Sequence, residues 1–203
     1  MSKKLGLLLF GMFLGGVSGT SYFLIKQLDS ASIENGRKLS ESRPLKDFDL
    51  TDQNGASFNK NNLLGRWSLV TFGFTNCPDV CPSAMASYRD ELKLLEDSMS
   101  RLQFIFVTVD PERDSKERLK SYLEYFHPAI IGLTGSQEQI KSFAGMFSVH
   151  FQKQGGGENY NMAHSPQFFL VDPQGNWTAM YNPPLSRGKI AVDLTRIASK
   201  DSI

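Results

Sequence analysis

Trp67-Ser68-Leu69-Val70-Thr71-Phe72-Gly73-Phe74-Thr75-Asn76-Cys77-Pro78-Asp79-Val80-Cys81-Pro82 runs three kinds of sequence together without a break. The part through Phe74 is almost continuously apolar and β-prone, as in a strand covered on both faces. The polar, proline-containing middle is a turn. Beyond Pro82, Met85, Tyr88, Leu92, Leu95 and Met99 recur at steps of three or four, which predicts a helix of about four turns. A strand feeding a helix through a tight turn is a unit of an α/β sheet.

Outward from this unit the alternation continues. Gln103–Val109 reads as a second buried strand, and Leu119, Tyr122, Leu123 and Phe126 as a second helical stripe, with Asp114 and Glu117 as the two ends of a capping box. Ile130–Leu133 is a short strand. Ser136 and Gln139 offer another capping box ahead of the stripe Ile140, Phe143, Ala144 and Phe147. Val149–Gln152 reads as a strand, Gly155–Gly157 as a loop, and Gln167–Val171 as a strand ending at the turn Asp172-Pro173-Gln174-Gly175. Trp177–Tyr181 pairs back as a hairpin, and Ile190, Leu194 and Ile197 mark a last helix. Upstream, Lys46–Thr51 and Ser57-Phe58 flank the turn residues Asp52-Gln53-Asn54-Gly55 as a hairpin. The expected fold is α/β, a mixed sheet with helices on both faces, and no internal repeat is present.

The start of the chain is of another kind. Lys3 and Lys4 precede an uncharged run from Leu5 to Ile25, closed by Lys26. As a helix that run spans about 30 Å, one hydrocarbon core, and it exceeds the roughly 7–15 apolar residues of a cleaved signal peptide. Val17-Ser18-Gly19 offers a weak cleavage site, but apolar residues resume at Tyr22–Ile25. The reading is a cytoplasmic tail at 1–4, an N-terminal transmembrane helix at 5–25, a polar tether at 26–43 and a globular domain at 44–203. The lysines set an N-inside orientation. The domain is then expected on the outer, periplasmic side of a cell inner membrane, single-pass, where disulfides can form.

Composition narrows the function. With 40% hydrophobic and 21% charged residues the chain builds a packed core, and 22 Lys and Arg against 21 Asp and Glu leave +1, no field for nucleic acid. The two cysteines, Cys77 and Cys81, are too few for a disulfide scaffold, yet both stand at one strand–helix junction, where open α/β sheets place ligands. Pro82 suits a first helical position, which puts Cys81 at the mouth of the helix, where backbone N–H groups stabilise a thiolate. Two thiolates favour monovalent copper over hard cations. Of the three histidines, His127 reads as a helix-end cap and His150 as structural. His164 stands between the glycine loop and the Gln167–Val171 strand, and spacing alone leaves its role undecided. A structural zinc site lacks its four ligands, a peroxidase lacks a defensible arginine partner, and a cysteine hydrolase leaves one cysteine unexplained.

The blocks Phe72–Pro82, Val109-Asp110-Pro111-Glu112-Arg113-Asp114, Phe126-His127-Pro128, Gly132-Leu133-Thr134-Gly135, Ala163-His164-Ser165 and Leu170–Gly175 together resemble the Sco (SenC) family of copper-binding proteins, in family order over roughly 44–198. The resemblance implies a thioredoxin-like fold on a single membrane anchor. It also implies one copper ion per chain held by Cys77, Cys81 and His164, and a part in loading the dinuclear copper centre of cytochrome c oxidase. The implied partners are a copper-accepting oxidase subunit and a copper donor or thiol reductant. Two positions depart from the pattern. Ala163 stands where many members carry an acid, and Pro166 stands where thioredoxin-like oxidoreductases place the proline facing their cysteines. The rival reading is therefore a membrane-tethered thiol–disulfide oxidoreductase using Cys77 and Cys81 with Pro166. Asp110, Arg113 and Asp114 are read as either a docking surface or a solvated helix cap.

Overall fold

The structure is a computed structural model. It describes residues 33–77, 80–95, 100–157, 160–164, 166–183 and 186–200, with the backbone alone at 80–82 and 198–200. The expected tail at 1–4 and anchor at 5–25 lie outside the described residues, among which no helix is long and apolar enough to cross a membrane.

In chain order the strands are β1 (Arg37–Pro44), β2 (Asp49–Asp52), β3 (Ser57–Asn59), β4 (Trp67–Gly73), β5 (Leu102–Thr108), β6 (Ile130–Thr134), β7 (Phe151–Gln154), β8 (Asn161–His164), β9 (Phe168–Val171) and β10 (Asn176–Tyr181). The helices are α1 (Val80–Lys93), α2 (Lys116–Phe126), α3 (Gln137–Met146) and α4 (Lys189–Lys200), and a 3-10 turn covers Lys60–Leu63. Eight strands form one sheet in the order β1-β10-β9-β4-β5-β6-β2-β3, and β7 and β8 form a separate two-stranded sheet. β4, β5 and β6 run parallel, while β9 lies antiparallel to β4, so the sheet is mixed as expected.

Alternation along the central strands builds a core on each face. Phe104 and Phe168 pack on Tyr88 of α1, and Phe106 on Tyr122 of α2. The neighbouring residues of opposite parity, Phe72 and Phe169, meet Phe143 or Phe147 at the other side, and Phe169 also meets Trp177. Helices therefore cover both faces. Gly132 is where α2 comes closest to the sheet: a Cβ there would lie 2.5 Å from Leu123 Cδ1 and 2.8 Å from Leu119 Cγ.

Three expectations are corrected. The stretch 26–43 is not tether throughout, because Arg37–Pro44 is the edge strand beside β10, with Arg37 opposite Met180 and Pro44 opposite Asn176. Its residues are exposed apart from a half-buried Leu39, so no hydrophobic alternation marks it. Helix α1 ends at Lys93; buried Leu95 belongs to the following turn, and Met99 lies outside the described residues. The cap of α2 is Ser115, whose hydroxyl accepts from the Arg118 N–H at 3.2 Å, and not Asp114. The Ser136–Gln139 capping box of α3 forms as expected, with both reciprocal hydrogen bonds.

Candidate metal centre

β4 delivers the chain to the carboxyl edge of the sheet, where Phe74 is buried and the Cys77 N–H donates to the Phe74 carbonyl at 3.3 Å. Cys77 is half-buried at this turn. α1 begins at Val80, which places Cys81 in its first turn, with Pro82 at a position that tolerates proline. The Cys81 side chain, like Pro78 and Asp79, lies outside the described residues.

The turn is pinned from below. Asp114 Oδ2 accepts from the Thr75 N–H at 3.0 Å and from the Thr108 hydroxyl at 2.6 Å, and Oδ1 accepts from the Thr75 hydroxyl at 2.5 Å. Arg118 donates from Nε to Thr75 Oγ1 at 2.7 Å and from Nη2 to Asn76 Oδ1. Burial raises the Asp114 carboxyl above its ordinary value, against the lowering effect of the hydroxyls of Thr108 and Thr75. Asp110 and Asp114 are 2% and 1% exposed, so the expected docking surface or solvated cap is in fact a buried polar layer under the cysteine turn. The aspartates are buried because each has partners: Asp110 pairs with Arg113 at 2.5 Å and accepts from the Tyr160 hydroxyl at 2.7 Å.

The antiparallel register brings the third candidate to the same place. Ser68 lies opposite Val171 and Thr71 opposite Phe168, so the chain leading into β9 arrives at the end of β4. The Thr71 hydroxyl donates to the Gln167 carbonyl at 3.1 Å and fixes that arrival. His164 closes β8, opposite Phe151, and does not itself open the central strand. Its ring meets the Phe74 ring edge-on, with centroids 5.9 Å apart. With Pro166 it lines a small cavity against Thr71, Phe106 and, from α1, Ala84 and Met85. His164 thus adjoins both Phe74, which leads into Cys77, and the turn of α1 that follows Cys81.

Among the described residues no three His, Cys, Asp or Glu side chains form a metal-holding group, and the Cys81 side chain is not one of those residues. The donor types of Cys77, Cys81 and His164, two thiols and an imidazole, suit copper, and position 163 carries no carboxylate, Ala163 lying opposite Gln152. His127 caps α2 through its N–H to the Leu123 carbonyl at 2.9 Å, and His150 is exposed ahead of β7. Sequence reading missed Thr75, Thr108, Arg118 and Tyr160. Thr75 could have been noticed as a hydroxyl beside the cysteines, whereas nothing local singles out Tyr160.

Known proteins share this fold. The SCO1/SenC family pattern matches residues 37–199. A SCO2-like protein of Rickettsia felis is 40% identical over 134 residues, which cover 64% of this chain and 65% of the relative, a little under two thirds of its length. Bradyrhizobium japonicum ScoI, solved with copper bound, superposes with a TM-score of 0.70 at 32% identity, over 75% of this chain and 98% of that one. BsSco, a member of the Sco family of cytochrome c oxidase assembly proteins for which a disulfide switch is described, superposes at 0.65 with 26% identity, over 80% of this chain and 96% of its own. The Sco structures share the thioredoxin-like architecture found here, and the chain belongs to the SCO1/SenC family.

Proposed function

We propose that this protein is a copper-binding metallochaperone of the cytochrome c oxidase assembly route, with copper as its cargo. The thiolates of Cys77 and Cys81 hold the ion, and the imidazole of His164 is the third ligand. The acceptor is the dinuclear copper site of the oxidase. Residues 5–25 anchor the domain to the inner membrane, facing the periplasm. The observation that carries the reading is the placement of His164 against Phe74 and the first turns of α1, which flank the two cysteines. Copper bound in Bradyrhizobium japonicum ScoI supports it.

Each part of the chain has a task in that function. Soft sulfur donors favour the monovalent ion, and the borderline imidazole adds tolerance of the divalent one. Both cysteines must be reduced and deprotonated to accept metal, so loading releases protons. The helix end at Cys81 favours the thiolate. Asp114 and Arg118 hold the turn so that few ligand conformations have to be selected on binding.

The test is copper titration of the reduced full chain beside His164→Ala, by competition with a chelator. Loss of a ligand should cost more than the roughly tenfold that loss of a residue merely holding a ligand costs. Sulfur-to-copper charge-transfer bands of the divalent form should also change. Unchanged affinity and bands would remove His164 from the site.

Pro166 in the same cavity favours a second reading, a thiol–disulfide oxidoreductase. One cysteine thiolate attacks a partner disulfide, forming a mixed disulfide and releasing one partner thiolate. The second cysteine then displaces the other, so the partner gains two electrons and the Cys77–Cys81 pair is oxidised. An external thiol reductant resets the pair. Here His164→Ala leaves the dithiol potential and the exchange rate unchanged, and copper binding is weak in both chains.

A further inference from the structure

We propose that Arg113 is a positioning residue, the brace that holds the His164 hairpin in register with the Cys77 turn; as a claim about copper it rests on His164 being a ligand. β7 and β8 form a two-stranded sheet of their own, with most of β7 exposed. Such a pair is marginal alone, so its placement depends on what anchors it. Tyr160, one residue ahead of β8, is that anchor. The Arg113 Nη1 donates to the Tyr160 carbonyl at 2.9 Å, and its guanidinium lies 3.5 Å from the centre of the Tyr160 ring. The same guanidinium lies 5.9 Å from the centre of the Phe74 ring. Phe74 in turn meets the His164 ring. One side chain therefore touches the residue that leads into Cys77 and the residue just ahead of the strand that ends at His164.

The arginine is itself fixed. Its side chain is 16% exposed and its Nε donates at 2.5 Å to Asp110, whose other oxygen accepts from the Tyr160 hydroxyl at 2.7 Å. From Tyr160 the chain reaches His164 through only the four residues of β8, at about 3.4 Å each and paired in continuous register with β7, so a shift at one end displaces the other. Lysine could neutralise Asp110, but it lacks the planar fork that reaches Asp110 and the Tyr160 carbonyl together. Arg113→Lys thus separates positioning from charge balance.

Two measurements on the full chain decide the matter. In the reduced, metal-free state the His164 ring resonances are identified by their loss in His164→Ala. Arg113→Lys should shift or broaden them, because the ring-current contact with Phe74 changes, while the His127 resonances stay in place. In copper titration Arg113→Lys should cost about tenfold or more in the wild-type background and less than about twofold in His164→Ala. Unmoved His164 resonances overturn the brace, and so does an equal copper loss in both backgrounds. If His164→Ala alone leaves copper affinity unchanged, the ligand assignment fails, and the resonances by themselves uphold or overturn the brace. Should Arg113→Lys fail to fold, Tyr160→Phe, which removes only the hydroxyl bond to Asp110, is read by the same measurements.

Discussion

Asp114 lies under the cysteine turn, and replacing it tests whether the buried polar layer holds that turn. Asp114→Ala deletes the acceptor of three hydrogen bonds, from the Thr75 N–H, the Thr75 hydroxyl and the Thr108 hydroxyl. Bonds to an ionised acceptor contribute about 1.5–3 kcal/mol each and neutral ones about 1. The carboxyl is raised above its ordinary value, so burial costs the ionised form more than the hydrogen bonds return to it. With that burial cost offsetting part of the gain, three such bonds amount to at least about 3 kcal/mol. Asp114→Asn keeps one oxygen for two of the donors and loses about 1 kcal/mol. The pH dependence has a definite sign. A carboxyl whose folded pKa is raised contributes stability that is fully present below its unfolded value, about 4, and is lost as pH rises through the folded value. The gap between wild type and Asp114→Asn in urea unfolding is therefore widest in acid and narrows toward neutrality. In the reduced chain, cysteine alkylation should also speed up as the turn loosens. A gap that widens with pH would mean the ionised carboxylate is the stabilising form and would refute this account of the layer.

Two further changes probe the frame around the site. Gly132→Ala forces a Cβ to within 3 Å of two leucines of α2, and it should destabilise by about 1–3 kcal/mol in denaturant unfolding; a neutral result would show that α2 moves outward freely. Burial and the hydrogen bond to Asp110 push the Tyr160 hydroxyl up to about 12, so its contribution is complete below the ordinary value near 10 and is lost as pH rises toward 12. Tyr160→Phe should cost about 1–2 kcal/mol at neutral pH, and the difference should disappear across that alkaline window; a constant difference would assign the cost to packing instead.

What could be read from sequence divides by where the information lies. β4, β5 and the stripes of α2 and α3 are legible because each buries a patterned face, and the Ser136–Gln139 cap because both its bonds join residues three apart. β1 is illegible because it pairs along an exposed edge, where either face accepts polar residues. Asp114 misleads for a related reason. Its neighbour Ser115 satisfies the helix end, and that leaves the aspartate to turn inward toward Thr75, 39 residues away. Spacing leaves the role of His164 undecided and only family resemblance links it to Cys77, since spacing does not reveal that β9 runs antiparallel beside β4. Once it does, the register of Thr71 opposite Phe168 requires the residues before β9 to stand at the end of β4. The approach of His164 to Phe74 is a property of the tertiary fold, and it depends on the hairpin that ends in His164. A residue such as Arg113, which touches Phe74 and Tyr160 together, controls that approach without resembling a ligand; its motif marks the position, but its contact with Tyr160, 47 residues on, is set by the fold.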